Sequence, residues 1–259
     1  MVGVNMAENS DDTVKTTERA IDILEYLLEH DSARLTDIAA DLGLAKSTTH
    51  RHLQTLYNRE YVVKEDERYY LSLRYLEFGE QARNRKEAYG LVQSKVDDLA
   101  EQTAERVQFI VEEHGKGVYV YRATGERAVQ TDPGLGKRVE LHSIAAGKAI
   151  LAQLPEQRVN EILERHGLRK LTAQTLSSRE ELFIELDEIR EKGYSINNQE
   201  NVKGLRAIGV PIRERDGSVL GAVSISGPTN RIKGERFEDE IPDLLLGTAN
   251  ELELNIAYA

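Results

Sequence analysis

Two helical apolar patterns flank a single glycine between Leu35 and Leu56, and this arrangement constrains the fold more than any other feature of the chain. In LTDIAADLG, Leu35, Ile38, Ala39 and Leu42 share one face and Gly43 stands at the stop. In the LAKSTTHRHLQTLYNR that follows, Thr49, Leu53 and Leu56 fall at i, i+4 and i+7 and face inward. Lys46, Ser47, Thr48, His50 and Arg51 are left at the helix start or on its outer faces. Two short helices joined by a tight glycine turn predict a helix-turn-helix. Upstream, TTERAIDILEYLLEH sets Ala20, Ile23, Leu24, Leu27 and Leu28 on one stripe, with Thr16 or Thr17 able to cap it. Downstream, YVVKEDERYYLS reads as two β-prone runs around a polar loop, a hairpin or wing. Three helices and a wing make a winged helix-turn-helix, expected over residues 13–75.

The last of those helices is free of acid from Leu44 to Arg59, in a chain with 45 Asp and Glu, 34 Lys and Arg and a formal charge of −11. A helix that approaches phosphates excludes carboxylates, because each would be repelled and buried without a partner. Ser47 and Thr48 place short hydroxyls near the helix N-terminus, within reach of phosphates or base edges. Lys46 and Arg51 are candidates for phosphate contact, and Arg51 alternatively reads guanine. His50 either touches DNA or packs between the helix and the wing. Lys64 and Arg68 on the wing are candidates for backbone contact.

After the wing the chain continues as helix with a polar middle, QARNRKEAYG, expected to be a linker helix over residues 76–92. From Arg106 the period changes. VQFIVEE and GVYVYRA are strand-like around HGKG, and a Pro-Gly turn follows in AVQTDPGLGKRVEL. Three helical stretches come next, the last ending at Gly193. AIGVPIRERDGSVLGAVSISG is two strands around Asp-Gly, a strong hairpin signal, and the chain closes as helix. The fold class is therefore α+β, with an antiparallel sheet in a second domain over residues 93–259. Residues 1–12 read as a disordered lead-in.

Composition removes several function classes. The chain has no cysteine, so disulfides, thiolate zinc sites and cysteine nucleophiles are excluded. Six histidines show no HxxxH spacing and one HxH, His50 and His52 on an expected helix where i and i+2 do not face each other, so no metal and no cofactor is expected. SISGP resembles neither a nucleophile elbow nor a P-loop, and no catalytic residue is assigned. No apolar run suits a membrane span and the first residues lack a signal-peptide pattern, so a cytoplasmic protein with no membrane partner is expected. Arginines outnumber lysines 22 to 12. With so many acids, that balance suits either a proteome working in concentrated salt or an ordinary acidic bacterial protein.

Six stretches in order, TTERAIDILEYL, LTDIAADLGLAKSTTHRHLQTL, VQFIVEEHGKGVYVYRATG, RVELHSIAAGKAILA, GYSINNQENVKGLRAIGVPI and AVSISGPTNRI, resemble the IclR family of transcription regulators over nearly the whole chain. The resemblance implies a winged helix joined by a linker helix to a GAF-like effector-binding domain. It implies operator DNA, a small-molecule effector and self-association as a dimer or dimer of dimers as partners, and catabolic genes as targets. It places the effector over the sheet, near Ala145 and Ala146 at a helix N-terminus and near Asn197, Ala207, Ser224 and Ser226. Asn197 stands where many members have an acid and Ala207 where many have cysteine, departures that favour a neutral or larger effector over a small oxo-acid. Ser224 and Ser226 alternate on a strand and share a face, or simply satisfy backbone near a turn. His142 reads as a capping or core histidine and His114 as a solvent-facing turn residue.

Overall fold

Helical spacing alone does not choose which side of a stripe is buried; the neighbours do. The computed structural model describes residues 13–128 and 134–258, so the lead-in and most of the expected Pro-Gly turn lie outside the described residues. Helix α1 (Lys15–His30) buries Ile23 and Leu27. Leu24 is half-buried and Leu28 is 69% exposed. At about 100° per residue the Ile23–Leu27 side faces the core and Leu28 turns away from it. Neither Thr16 nor Thr17 caps α1. Its N-cap is Val14, with no side-chain hydrogen bond, and backbone carbonyl of Val14 takes the Thr17 N–H instead.

The rest of the first unit follows the expected order: β1 (Ala33–Arg34), α2 (Leu35–Asp41), α3 (Lys46–Asn58), then the wing, β2 (Val62–Glu65) and β3 (Arg68–Leu71). The short strand β1 went unread in the sequence; it pairs with β3 and makes a three-stranded sheet, β1-β3-β2. Gly43 takes φ +63 in the turn before α3. Ile23, Leu27, Ile38, Leu53, Leu56, Val62 and Tyr69 form one core. Thr49 joins that interior with no exposure, and its hydroxyl donates to the Ala45 carbonyl at 3.3 Å.

Residues 76–92 are not one helix. Helix α4 (Arg74–Arg83) ends and α5 (Glu87–Thr103) begins within the polar middle. Contacts divide the chain into a unit ending at Ala82 and one beginning at Arg83.

The second unit is a six-stranded antiparallel sheet ordered β6-β5-β4-β9-β8-β7. Its strands are β4 (Arg106–Glu113), β5 (Lys116–Thr124), β6 (Arg138–Val139), β7 (Ser195–Asn198), β8 (Leu205–Arg213) and β9 (Val219–Pro228). Helices α5 and α9 (Ile241–Tyr258) cover one face, through Val92, Val96, Leu99, Leu245 and Leu252. Helices α6 (Ala145–Gln153), α7 (Glu156–His166) and α8 (Arg179–Lys192) cover the other, through Ile150, Leu151, Val159, Leu182 and Leu186. The central strands are thus buried on both faces, which explains their near-continuous apolar runs. Every residue of α6 from Ala145 to Ala152 is buried.

Candidate functional site

Two places gather the residues singled out by sequence, one in each unit. The first is the outward side of α3. Its N-cap, Ala45, makes no side-chain cap, and the first turn holds no acid. With Thr49, Leu53 and Leu56 buried, Lys46, Ser47, His50, Arg51, Gln54 and Asn58 are exposed and Thr48 is half-buried. A positive, uncapped helix start with exposed hydroxyl and guanidinium groups is suited to phosphate and base edges.

The wing carries its two basic candidates differently. Lys64 stands 3.7 Å from Glu67 and over the Tyr69 ring. Arg68 is tied inward: Nε donates to Ser32 Oγ at 2.9 Å and Nη2 to the Ser32 carbonyl at 2.8 Å. Arg68 therefore fastens the wing to the turn after α1.

The second place is a cavity of about 290 Å³ over the sheet of the second unit. Ala145, Asn197, Ala207, Ser224 and Ser226 line it; Ala146 does not. Strand β8 passes so close to that turn of α6 that a Cβ at Gly209 would stand 2.8 Å from Ala145 C and Ala146 N. The strand, and not the cavity, lies over Ala146. Register explains the serines: Ser224 is flanked by Gln108 and Gly209, Ser226 by Arg106 and Ala207. Gln108 Nε2 donates to Ser226 Oγ at 2.8 Å, so this hydroxyl is tied to a neighbouring strand and not to a turn. Asn197 donates from Nδ2 to the Ser143 carbonyl at 2.5 Å and accepts the Glu200 N–H at 3.1 Å. Its amide therefore holds the end of β7 against the turn before α6.

His142 is a core residue, 3% exposed, with Nε2 3.1 Å from the Arg169 carbonyl. His114 is an exposed turn residue at φ +55.

Comparison with known proteins covers both units. Residues 16–66 match the IclR helix-turn-helix domain, and residues 84–254 match the bacterial transcriptional regulator IclR C-terminal domain. The chain belongs to the IclR family of transcriptional regulators. It is 33% identical over 244 residues to a probable HTH-type transcriptional regulator, ArcR, of Halobacterium salinarum, covering 93% of each chain. The crystal structure of Thermotoga maritima IclR superposes with a TM-score of 0.78 at 30% identity, over 94% of this chain and 99% of that one. A Microbacterium hydrocarbonoxydans IclR homologue complexed with 4-hydroxybenzoate shares the fold, with a TM-score of 0.80 at 21% identity, over 94% of this chain and all of that one. The Halobacterium relative, like the Escherichia coli regulator KdgR at 30% identity over 249 residues, is named as a transcriptional regulator and not as an enzyme.

The cavity is also lined by residues that the sequence reading missed. Arg106, Gln108 and Ile110 alternate along β4 and line it, a period-two signal present in the sequence. Tyr119 joins them through a β-bulge: Phe109 pairs with Tyr121 but Ile110 pairs with Tyr119. The extra residue, Val120, sends Tyr119 to the cavity face while Tyr121 goes to the opposite core. Burial raises the Tyr119 pKa, against the pull of Arg106 and Arg122, so the ring stays a neutral phenol at neutral pH. Lys137, Arg138 and Arg206 also line the cavity, and no Asp or Glu does so among the described residues. Arg138 is paired with Glu113 at 3.1 Å. Arg206 donates to Asn198 Oδ1 and the Ile232 carbonyl and lies over Phe237. No helix among the described residues is long and apolar enough to cross a membrane.

Proposed function

We propose that this chain is a sequence-specific, effector-controlled regulator of catabolic genes, acting on double-stranded operator DNA as a dimer or dimer of dimers. The observation that carries the DNA reading is the acid-free outward side of α3 in a chain of charge −11. Lys46, Ser47, Thr48, His50 and Arg51 approach the duplex there, and Lys64 reaches backbone from the wing. Arg68 serves mainly to hold the wing in place. Two-fold dimers set recognition helices about 34 Å or a multiple apart, so the operator is expected to be an imperfect palindrome.

The effector site is the cavity, with Ala145, Asn197, Ala207, Ser224 and Ser226 as its walls. Its basic lining, with no carboxylate among the described residues, favours a small organic anion, where Asn197 and Ala207 had pointed to a neutral or larger effector. The 4-hydroxybenzoate held by the Microbacterium homologue is a ligand of this class. Effector and operator affinities are then linked reciprocally, by about 1–3 kcal/mol.

Retardation of the protein's own promoter fragment, competed by that fragment and not by random duplex, tests the DNA reading. A panel of sodium carboxylates, 4-hydroxybenzoate included, and of neutral analogues is then titrated into the complex. Release by a carboxylate, lost in Ser224→Ala with Ser226→Ala while operator binding stays, supports the effector reading. Release only by neutral compounds would overturn the anion assignment.

A further inference from the structure

The middle of the α3 outward face belongs to residues that the helix-start reading passes over. Taking about 100° per residue, Thr49, Leu53 and Leu56 define the buried direction. Directly opposite runs a line of four exposed residues spaced by four, three and four: Ser47, Arg51, Gln54 and Asn58. Lys46 and Thr48 stand to either side of that line. Whatever α3 lies against, Gln54 meets it at the centre, one turn beyond Arg51.

Gln54 is also held. Its Nε2 donates to Asn58 Oδ1 at 2.8 Å, one helical turn on. A primary amide has two N–H donors and a carbonyl acceptor. The bond to Asn58 occupies one N–H and restrains the amide. It leaves the second N–H and Oε1 available, and with the N–H trans to Oε1 given to Asn58 those two stand side by side. Adenine presents the complementary pair in the major groove, an acceptor at N7 and a donor at N6. Holding the amide in advance removes part of the side-chain ordering cost of that contact.

We infer that Gln54 is a specificity-determining residue that reads an adenine of an A·T pair in the operator, and that Asn58 is its positioning residue. The inference rests on α3 being the helix that enters the groove. The amide then makes two hydrogen bonds to one base edge, Oε1 accepting from N6 and Nε2 donating to N7. Thr55, on the flank, donates to the Arg51 carbonyl at 2.8 Å, and Gln54 is exposed.

The test is selection of binding sites from a randomised duplex library by the full chain, wild type and variants. Wild type is expected to enrich one common site with an A·T pair in each half. Q54A is expected to lose discrimination at that pair alone, by about 5- to 150-fold, with the other positions unchanged. Q54E is expected to move the preference at the same pair to C·G, since a carboxylate accepts from cytosine N4. N58A is expected to weaken the A·T preference without moving it, and N58D, which keeps an acceptor for Gln54, to retain it at lower affinity for every sequence. Gln54 and Asn58 are exposed, so circular dichroism of the variants should match wild type. A Q54A protein that enriches the wild-type site with the same A·T preference overturns this inference alone. N58A discriminating like wild type removes the role of Asn58. A wild-type protein that enriches no common site overturns the DNA reading beneath it.

Discussion

Lys148 Nζ lies 2.6 Å from Glu200 Oε2, and the lysine side chain has no exposure to water. Glu185 holds the same ammonium from α8. Glu200 also takes the Asn198 N–H on its other carboxylate oxygen and gives its own N–H to Asn197. Burial raises the Glu200 pKa while Lys148 pulls it down. One buried cation therefore ties α6, α8 and the end of β7 together beside the cavity.

Lys148→Met should cost about 3–5 kcal/mol, because it leaves buried carboxylate without its partner. Lys148→Met with Glu200→Gln should recover part of the loss. Denaturant midpoints of the three proteins decide it. A single-variant loss below about 1 kcal/mol would show that the triad contributes little.

His142 couples stability to pH. Burial lowers its pKa below 6.5, against the Arg169 hydrogen bond and Glu140, which raise it; Lys116 and Lys148 add to the lowering. The unfolded chain therefore takes up a proton near pH 6.5 before the folded protein does. The stabilising contribution is present above that pH and is lost as pH falls through the folded value. His142→Gln should flatten the fall between about pH 7 and pH 5. Urea titrations across that window check it, and equal slopes for both proteins would remove the histidine from the account.

Gly147→Ala reverses a familiar rule. In an open helix the change gains about 1 kcal/mol. Here a Cβ would stand 2.1 Å from the Leu141 carbonyl oxygen and 2.6 Å from Leu141 Cα. The backbone must shift, at a net cost of about 1–3 kcal/mol. A raised melting temperature would contradict the close approach.

Arg51 and Arg68 should separate binding from folding. Arg51→Ala should weaken operator binding by about 1–3 kcal/mol, with less loss on random duplex and no change in stability. Arg68→Ala removes both hydrogen bonds to Ser32 and should lower stability as well. Anisotropy and thermal melts on the same preparations compare them; an Arg51→Ala protein with unchanged operator affinity would remove Arg51 from the interface.

Salt should act unusually weakly if the chain works in concentrated salt. Each neutralised phosphate contributes a slope near −0.9 in log affinity against log salt. The segment Lys15–Tyr75 has 9 basic and 11 acidic residues, so screening also relieves repulsion from DNA. Specific binding is expected to persist from about 0.1 to about 2 M KCl. Steep loss, with none left above about 0.5 M, would assign the acidity to an ordinary acidic protein.

Local chemistry made the helix-turn-helix legible. The spacing of Thr49, Leu53 and Leu56 and the glycine at 43 act within a few residues, as does the absence of acid on α3. The Asp-Gly hairpin of β8 and β9 is equally local. Strand β7 was not legible, because its inward residues are the polar ones: Ser195 donates to the Ala145 carbonyl and Asn197 to the Ser143 carbonyl. An alternation that buries polar groups reads inverted until the helix supplying their partners is in place. Likewise Tyr119 reaches the cavity only through a bulge opposite Ile110, and Lys148 becomes a buried cation only where Glu185 and Glu200 meet it from 37 and 52 residues away. Sequence alone determined the elements whose stabilising partners lie within a turn or a hairpin. Tertiary structure decided where polar side chains are buried, because a buried polar group is tolerated only beside a hydrogen-bond partner that a distant segment brings.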